Sequence, residues 1–337
     1  MMIAILLEYG LFLAKTITIV AACLIVISAF MSLLFKSKAI RKDQVQVVSL
    51  NEKYKQFAKT IEQVTLPKHL WKSKVKKEKA SRKKETKKSK QEQETRNRIF
   101  VIDFIGDIKA SAVESLREEI TAVLTVAKPG DEVLVRLESS GGMVHTYGLA
   151  ASQLMRIRKK EIPLTIAVDK VAASGGYMMA CTANRIISAP FAIIGSIGVI
   201  AQLPNFNRLL KKKDIDYEQI TAGEFKRTLT VFGENTDDDR DKLKQELEET
   251  HSMFKDFVMQ GRKNLDISRI ATGEHWYGNK ALELNLVDEL VTSDDYLLTK
   301  SDALDIFIVK YETRKTLPGR LASGMVDSVT RFLGYPG

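Results

Sequence analysis

The sequence predicts an α/β domain built on parallel strands, carried behind one membrane-spanning helix and a basic stalk. Three observations lead there. Strand-like and helix-like segments alternate from residue 99 onward, the pattern of βαβ units, whose strands pair in parallel. Residues 16–35, TITIVAACLIVISAFMSLLF, carry no charge over twenty positions, and at 1.5 Å per residue such a helix spans roughly the 30 Å of a bilayer core. Between these regions, residues 36–98 hold 21 Lys and Arg against 7 Asp and Glu.

The N-terminal segment, residues 1–35, reads as an anchor. A cleaved signal peptide wants a basic start, a shorter apolar stretch and a small-x-small cleavage site. Here the run is longer, and Lys36, Lys38, Arg41 and Lys42 follow it instead of preceding it. Those charges favour a cytoplasmic side for the chain that follows. Residues 36–98 include WKSKVKKEKASRKKETKKSKQEQETRNR. With almost nothing to bury, they predict a solvated helix or disordered stalk, with anionic lipid as a partner for the lysines nearest the bilayer.

From residue 99 the elements follow in order. Residues 99–108, IFVIDFIGDI, predict a buried strand. Residues 111–127 predict a helix, with Val113, Leu116, Ile120, Val123 and Leu124 at helical spacing. A strand is predicted at 131–138, a helix from the Gly141-Gly142 turn to about Lys159, a strand at 163–171, a helix at 174–183 and a short strand at 185–189. The apolar run 193–203 is too short to cross a membrane, holds Gly195 and Gly198, and ends before Pro204, so it predicts a buried strand and turn. Residues 237–263 predict a long helix whose Leu243, Leu247, Phe254, Phe257 and Val258 share one apolar face. Residues 301–337 form a C-terminal strand and tail.

Composition narrows the function. The chain has 337 residues, a net charge of +10 and a 45% hydrophobic content, ample for a sizeable core. Residues 36–98 alone contribute +14, so the rest of the chain sums to −4 and offers phosphates no basic surface, which argues against nucleic acid as a partner. The two cysteines, Cys23 and Cys181, exclude a disulfide scaffold or a four-cysteine zinc site. No motif signals a metal or an organic cofactor.

Three patterns carry chemistry: Ser139-Ser140-Gly141-Gly142 after one strand, Ala172-Ala173-Ser174-Gly175-Gly176 after the next, and Lys226 in TAGEFKRT. A Gly pair between a strand and a helix is most often just a tight turn. Ser174 adds a nucleophile's geometry, because a hydroxyl between small residues at a strand-to-helix turn is exposed and has the N–H of Gly175 beside it. Two adjacent parallel strands would bring the Gly142 N–H alongside as a second oxyanion donor. The base is less determined. His145 is the histidine nearest a Gly turn, while His69, His251 and His275 lie in the stalk, on a charged helix and in EHWYG. A Ser-Lys dyad needs only one lysine held neutral by burial. Lys226, beside Phe225 and near Leu229, Val231 and Phe232, has a locally apolar setting unlike the Lys211-Lys212-Lys213 run and is the lysine of choice, although a lysine between apolar residues usually just snorkels.

These residues resemble the signal peptide peptidase A family of membrane-anchored serine peptidases. The shared stretches run through nearly the whole chain: EYGLFLAK, LREEITAVL, LESSGGMVHTYGLAASQL, VDKVAASGGYMMAC, SAPFAIIGSIGV, TAGEFKRTL and TGEHWYG. The resemblance implies a ClpP/crotonase-like spiral of β-β-α units over 99–300, with Ser174 as nucleophile and Lys226 as general base. It implies oxyanion donors at Gly142 and Gly175, and homo-oligomers whose active sites are shared between protomers. It also implies endopeptidase action on peptides or unfolded segments, remnant signal peptides among them, at a bacterial inner membrane with the catalytic domain outside the cytoplasm. Ser140 stands where the family usually has proline, which loosens the turn and leaves Gly141 and Gly142 both open as the donor. Two rivals remain: a crotonase-like enzyme of acyl thioesters, which would need acidic residues near the oxyanion site, and a non-catalytic membrane scaffold.

Overall fold

The computed structural model describes residues 10–20, 22, 24, 44–77, 96–223 and 225–312. Among them, ten strands join in one sheet. Its long arm runs in the spatial order β1 (Gln44–Ser49), β10 (Asp305–Glu312), β2 (Arg98–Gly106), β3 (Glu132–Ser139), β4 (Leu164–Val168), β6 (Arg185–Ser188) and β9 (Glu289–Leu290). From β10 to β9 every pairing is parallel, as the alternation of elements predicts.

Both faces of the arm's centre, β2 to β6, are covered, which is why these strands read as apolar runs, whereas the edge strand β1 is exposed. On β2, Phe100, Ile102 and Phe104 face one apolar cluster, while Ile99 and Val101 face the other. The larger cluster is closed by α2 (Val113–Val126), α3 (Val144–Lys159) and α4 (Gly175–Ala180). The smaller is closed by Leu50 of α1 (Leu50–Thr65) and by Tyr296 and Leu297 of α9 (Ser293–Lys300).

A short second arm branches from the end of β3. There Ser139 pairs with Ala172 of β5 (Val171–Ala173), β5 pairs in parallel with β7 (Ile193–Gly195), and β7 pairs antiparallel with β8 (His275–Tyr277). The stretch 163–171, expected as one strand, is therefore split between β4 and β5 at Asp169 and Lys170. The Asp169 carboxylate holds the break, accepting from the Ser293 N–H at 2.8 Å and the Ser293 hydroxyl at 2.5 Å. The run 193–203 is strand only at its start, and Ile200 is 75% exposed.

Order also extends into the region expected as stalk. Ser49 caps α1, its side chain accepting from the Glu52 N–H. Asn51 pins the helix to the start of β10, donating to Ser301 O and Leu304 O and accepting from the Ile306 N–H at 2.7 Å. A second helix covers 68–77. The remaining elements are α5 (Asn207–Lys212), α6 (Asp237–Gly261), α7 (Ile267–Ile270) and α8 (Gly278–Glu283). The chain divides into two units, one of residues 1–44 with 313–337, the other Val45–Glu312. In the first, residues 10–20 are helical. No helix among the described residues is long and apolar enough to cross a membrane. Most of the predicted span 16–35, Cys23, the stalk residues 78–95 and the tail 313–337 lie outside the described residues.

Candidate active site

Two turns leave neighbouring strand ends and meet. One runs from β3 through Ser139–Gly142 to α3, the other from β5 through Ser174 to α4, and the Ser139–Ala172 pairing sets them side by side. Ser174 has φ 52° and ψ −118°, a conformation that costs a non-glycine residue about 1–3 kcal/mol and persists only where its surroundings enforce it. The enforcement is visible. Its N–H donates to Gly195 O at 2.8 Å, and its carbonyl accepts from the Met178 N–H at 2.9 Å as α4 begins. The hydroxyl makes no capping bond to the helix, so it is left for other chemistry.

The companion turn is equally determined. Gly141 sits at φ +89°, and a Cβ on it would lie 2.7 Å from Gly175 N and 2.8 Å from Ser174 Cβ, so only glycine admits this approach. The Gly141 N–H donates to Ser139 Oγ at 3.1 Å. Of the two glycines expected as donors, Gly142 is thus the one whose N–H has no partner among the described residues. At the first position of α4, the Gly175 N–H has no acceptor within its own helix.

Behind both turns stands Tyr147 of α3, fully buried. Its hydroxyl donates to Asp107 O at 2.8 Å and lies 2.5 Å from Ser139 Oγ. A proton order that satisfies all three groups has Ser139 donating to Tyr147 while accepting from Gly141. The Tyr147 ring fills the space a Cβ on Gly175 would take, so one side chain braces both turns. Burial raises the Tyr147 phenol above its ordinary pKa, which keeps the hydroxyl neutral and its bonds intact.

Ser174, Gly142 and Gly175 open onto a cavity of about 350 Å³ whose walls include Val144, Met178, Met253, Phe254 and Phe257. Gly198 and Val199 of the GSIGV stretch complete it. No Asp or Glu is among its lining residues.

The sequence matches Peptidase family S49 N-terminal over residues 4–154 and Peptidase family S49 over residues 156–306. The chain belongs to peptidase family S49. Among its S49 relatives, a protein of Haemophilus influenzae named probable protease SohB is 50% identical over 92% of this chain and 90% of its own length. A second probable protease SohB, from Buchnera aphidicola subsp. Schlechtendalia chinensis, is 48% identical over 87% of this chain and 99% of its own. The solved 1510-N membrane-bound stomatin-specific protease, bound to a substrate peptide, shares 14% identity at a TM-score of 0.42, over 69% of this chain and 99% of that one.

Of the residues the sequence singles out in this S49 chain, the fold gathers Ser174, Gly142 and Gly175 and leaves Lys226 apart. Lys226 is exposed on the segment between α5 and α6 and does not line the cavity. Its N–H donates to Gly223 O at 3.2 Å, and the Phe225 ring beside it is 58% exposed under the Lys242 ammonium at 5.0 Å. His145 is exposed on α3 and also outside the cavity lining. His251 buries Nε2 with no hydrogen-bond partner among the described residues, and His275 is exposed on β8.

Tyr147 is the contributor that the motifs do not mark, and Ser139, though inside one of them, has no role there until the structure shows it holding the Gly141 N–H. A signal for Tyr147 exists in the sequence. It falls on the same helical stripe as Ala150, Ala151 and Leu154, all fully buried, so its hydroxyl needs an internal partner.

Proposed function

We propose that this S49 peptidase is a membrane-anchored serine endopeptidase whose nucleophile is Ser174 and whose general base is Lys226 of a neighbouring copy. The observation that carries the reading is the Ser174 turn: an enforced backbone conformation, an uncapped hydroxyl and two open N–H groups at the mouth of one apolar cavity. A peptide carbonyl seated there would be attacked by Ser174 Oγ. Its oxyanion would be held by the Gly142 and Gly175 N–H groups, a contribution of about 10²–10³ in rate per donor. The base takes the hydroxyl proton and returns it to the leaving amine, and water then releases the acyl group. The cavity admits an apolar side chain before the scissile bond, in keeping with apolar segments such as signal-peptide remnants.

A lysine acts as a base only where burial removes its proton. On the single chain Lys226 is exposed, and on the same segment between α5 and α6 Ile215, Ile220 and Phe225 are 53%, 95% and 58% exposed. A second copy covering that surface would bury the lysine and deliver it to a cavity that lacks a base of its own. The acyl-thioester reading loses ground because the cavity lining supplies no carboxylate. The anchor rests on the uncharged run at 16–35, with a bacterial inner membrane as its setting.

Peptide hydrolysis by the detergent-solubilised full chain tests this. Ser174→Ala and Lys226→Ala are each expected to abolish activity, and mixing the two variants under conditions that exchange subunits should restore part of it. Full activity in Ser174→Ala would overturn the nucleophile. Loss in both without recovery on mixing would place the base within one chain.

A further inference from the structure

The helices at 50–77 present an apolar stripe edged by lysines, and we infer that this surface lies on an anionic bilayer face. Leu50, Tyr54, Phe57, Ile61 and Val64 recur at three- and four-residue spacing along α1 and so share one side of the helix. The stripe begins against protein, with Leu50 5% exposed and Tyr54 packed on the same cluster. It then runs on uncovered: Phe57, Ile61 and Val64 are 55%, 63% and 84% exposed. The second helix, 68–77, folds back enough for Lys74 to reach Glu62 at 2.5 Å and adds Leu70, 49% exposed, and a half-buried Trp71.

Charge selects the occupant. Residues 67–77 contain Lys68, Lys72, Lys74, Lys76 and Lys77 and no Asp or Glu. A second copy placed symmetrically here would set this run against itself, whereas an anionic lipid surface attracts it by about 1 kcal/mol per lysine. The Lys53 ammonium lies over the Phe57 ring, 5.5 Å from its centre, which places a cation directly beside the exposed apolar stripe. Position agrees: only eight residues separate the end of the uncharged run at Phe35 from Gln44. An in-plane amphipathic helix buries its apolar side at the headgroup boundary and adds electrostatic attraction. This inference uses the proposed anchor for proximity and is independent of the Ser-Lys chemistry.

The test places the full chain in nanodiscs of phosphatidylcholine alone or of phosphatidylcholine and phosphatidylglycerol in equal parts. Amide exchange over 50–77 is expected to slow in the anionic discs. In a Trp276→Phe background, Trp71 emission should be quenched by brominated acyl chains at least about twofold more there than in neutral discs. Ile61→Ser with Val64→Ser should remove both signals, and each of Lys68, Lys72 and Lys76 changed to Gln should weaken the contact about fivefold. Hydrolysis of a short soluble peptide should stay unchanged in these variants, and Ser174→Ala should retain the quenching, which separates this surface from the active site. Equal exchange and quenching in both discs and in detergent would overturn the inference. Protection that follows the number of copies per disc instead of the lipid charge would assign the stripe to a second copy. A chain that fails to enter discs, yet protects 50–77 on vesicles of the same anionic composition, would keep the surface and remove the anchor.

Discussion

The Ser174 turn and the Lys226 segment are opposites in how they are held. Around Ser174 the flanking residues Ala172, Ala173, Gly175 and Gly176 are all buried, and both backbone groups of the serine are bonded. Among the described residues the Lys226 segment is held mainly by contacts within 205–235, with Lys242 of α6 over the Phe225 ring. Phe206 N–H donates to Val231 O at 2.7 Å, Asn207 Nδ2 to Phe232 O at 2.8 Å, and the Phe206 and Tyr217 rings sit 6.2 and 5.8 Å from Phe232. Those bonds fix the arm's shape while leaving Ile215 and Ile220 facing outward. The turn that carries Ser174 is fixed within a single chain, whereas the Lys226 segment leaves apolar side chains exposed, and under the proposed mechanism a second copy would cover them.

The largest effect is expected from spoiling the outward surface without touching the serine. Ile220→Asp with Ile215→Ser is expected to leave circular dichroism and thermal stability unchanged, because neither side chain supports the core. Sedimentation should show smaller particles. Peptide hydrolysis should fall about 10²–10⁴-fold, the scale of losing a general base. Unchanged activity in dissociated protein would mean that the arm acts within its own chain.

A smaller effect is expected on the rigid side. Tyr147→Phe keeps the ring that braces Gly175 and deletes the hydroxyl that ties Ser139 to Asp107. Leaving the buried Ser139 hydroxyl short of a partner should destabilise the chain by about 1–3 kcal/mol. With Ser139 freed, the Gly141–Gly142 turn loses its fixed position, so kcat should drop about tenfold with KM little changed, as for a lost transition-state interaction. A rise in KM alone would show that the network shapes substrate binding instead of the oxyanion donors.

This division also explains what the sequence made legible. The Ser174 turn was readable because small residues between a strand and a helix admit few backbone paths, and the parallel order followed from alternation. The break at Asp169 was not, since periodicity records which face a residue takes but not when a strand changes its partner. The order at 44–65 was masked by charge: the run of lysines after residue 67 dominates the composition, although Leu50 and Tyr54 already sit at helical spacing. Lys226 shows a subtler limit. Its apolar neighbours suggest burial, yet in the structure Lys226 and Phe225 are exposed, and a sequence does not distinguish a buried apolar segment from an exposed one of the same composition.

An effect on stability alone, with no change in activity, tests whether the rigid half has a weak edge of its own. Glu119 of α2 is 4% exposed and accepts from the Tyr311 N–H at 2.8 Å, holding β10 to the body. Burial, with a lesser push from Asp103, raises its carboxyl to about 7, against a lowering by the Tyr311 bond and Lys310. A folded pKa above the unfolded value means that the native state binds the proton more tightly. The stabilisation is therefore fully present below the unfolded pKa and is lost as pH rises through about 7. A shift of this size corresponds to about 3 kcal/mol. The melting temperature of the parent should accordingly decline from about pH 5 to about pH 8. Glu119→Gln keeps an acceptor for Tyr311 but carries no charge, so its melting temperature should match the parent at the acid end and exceed it at the alkaline end. Calorimetry across that range decides the matter. Parallel curves would place the pH dependence elsewhere, whereas convergence only at low pH would assign the alkaline loss of stability to the buried Glu119 carboxylate in the α2–β10 contact.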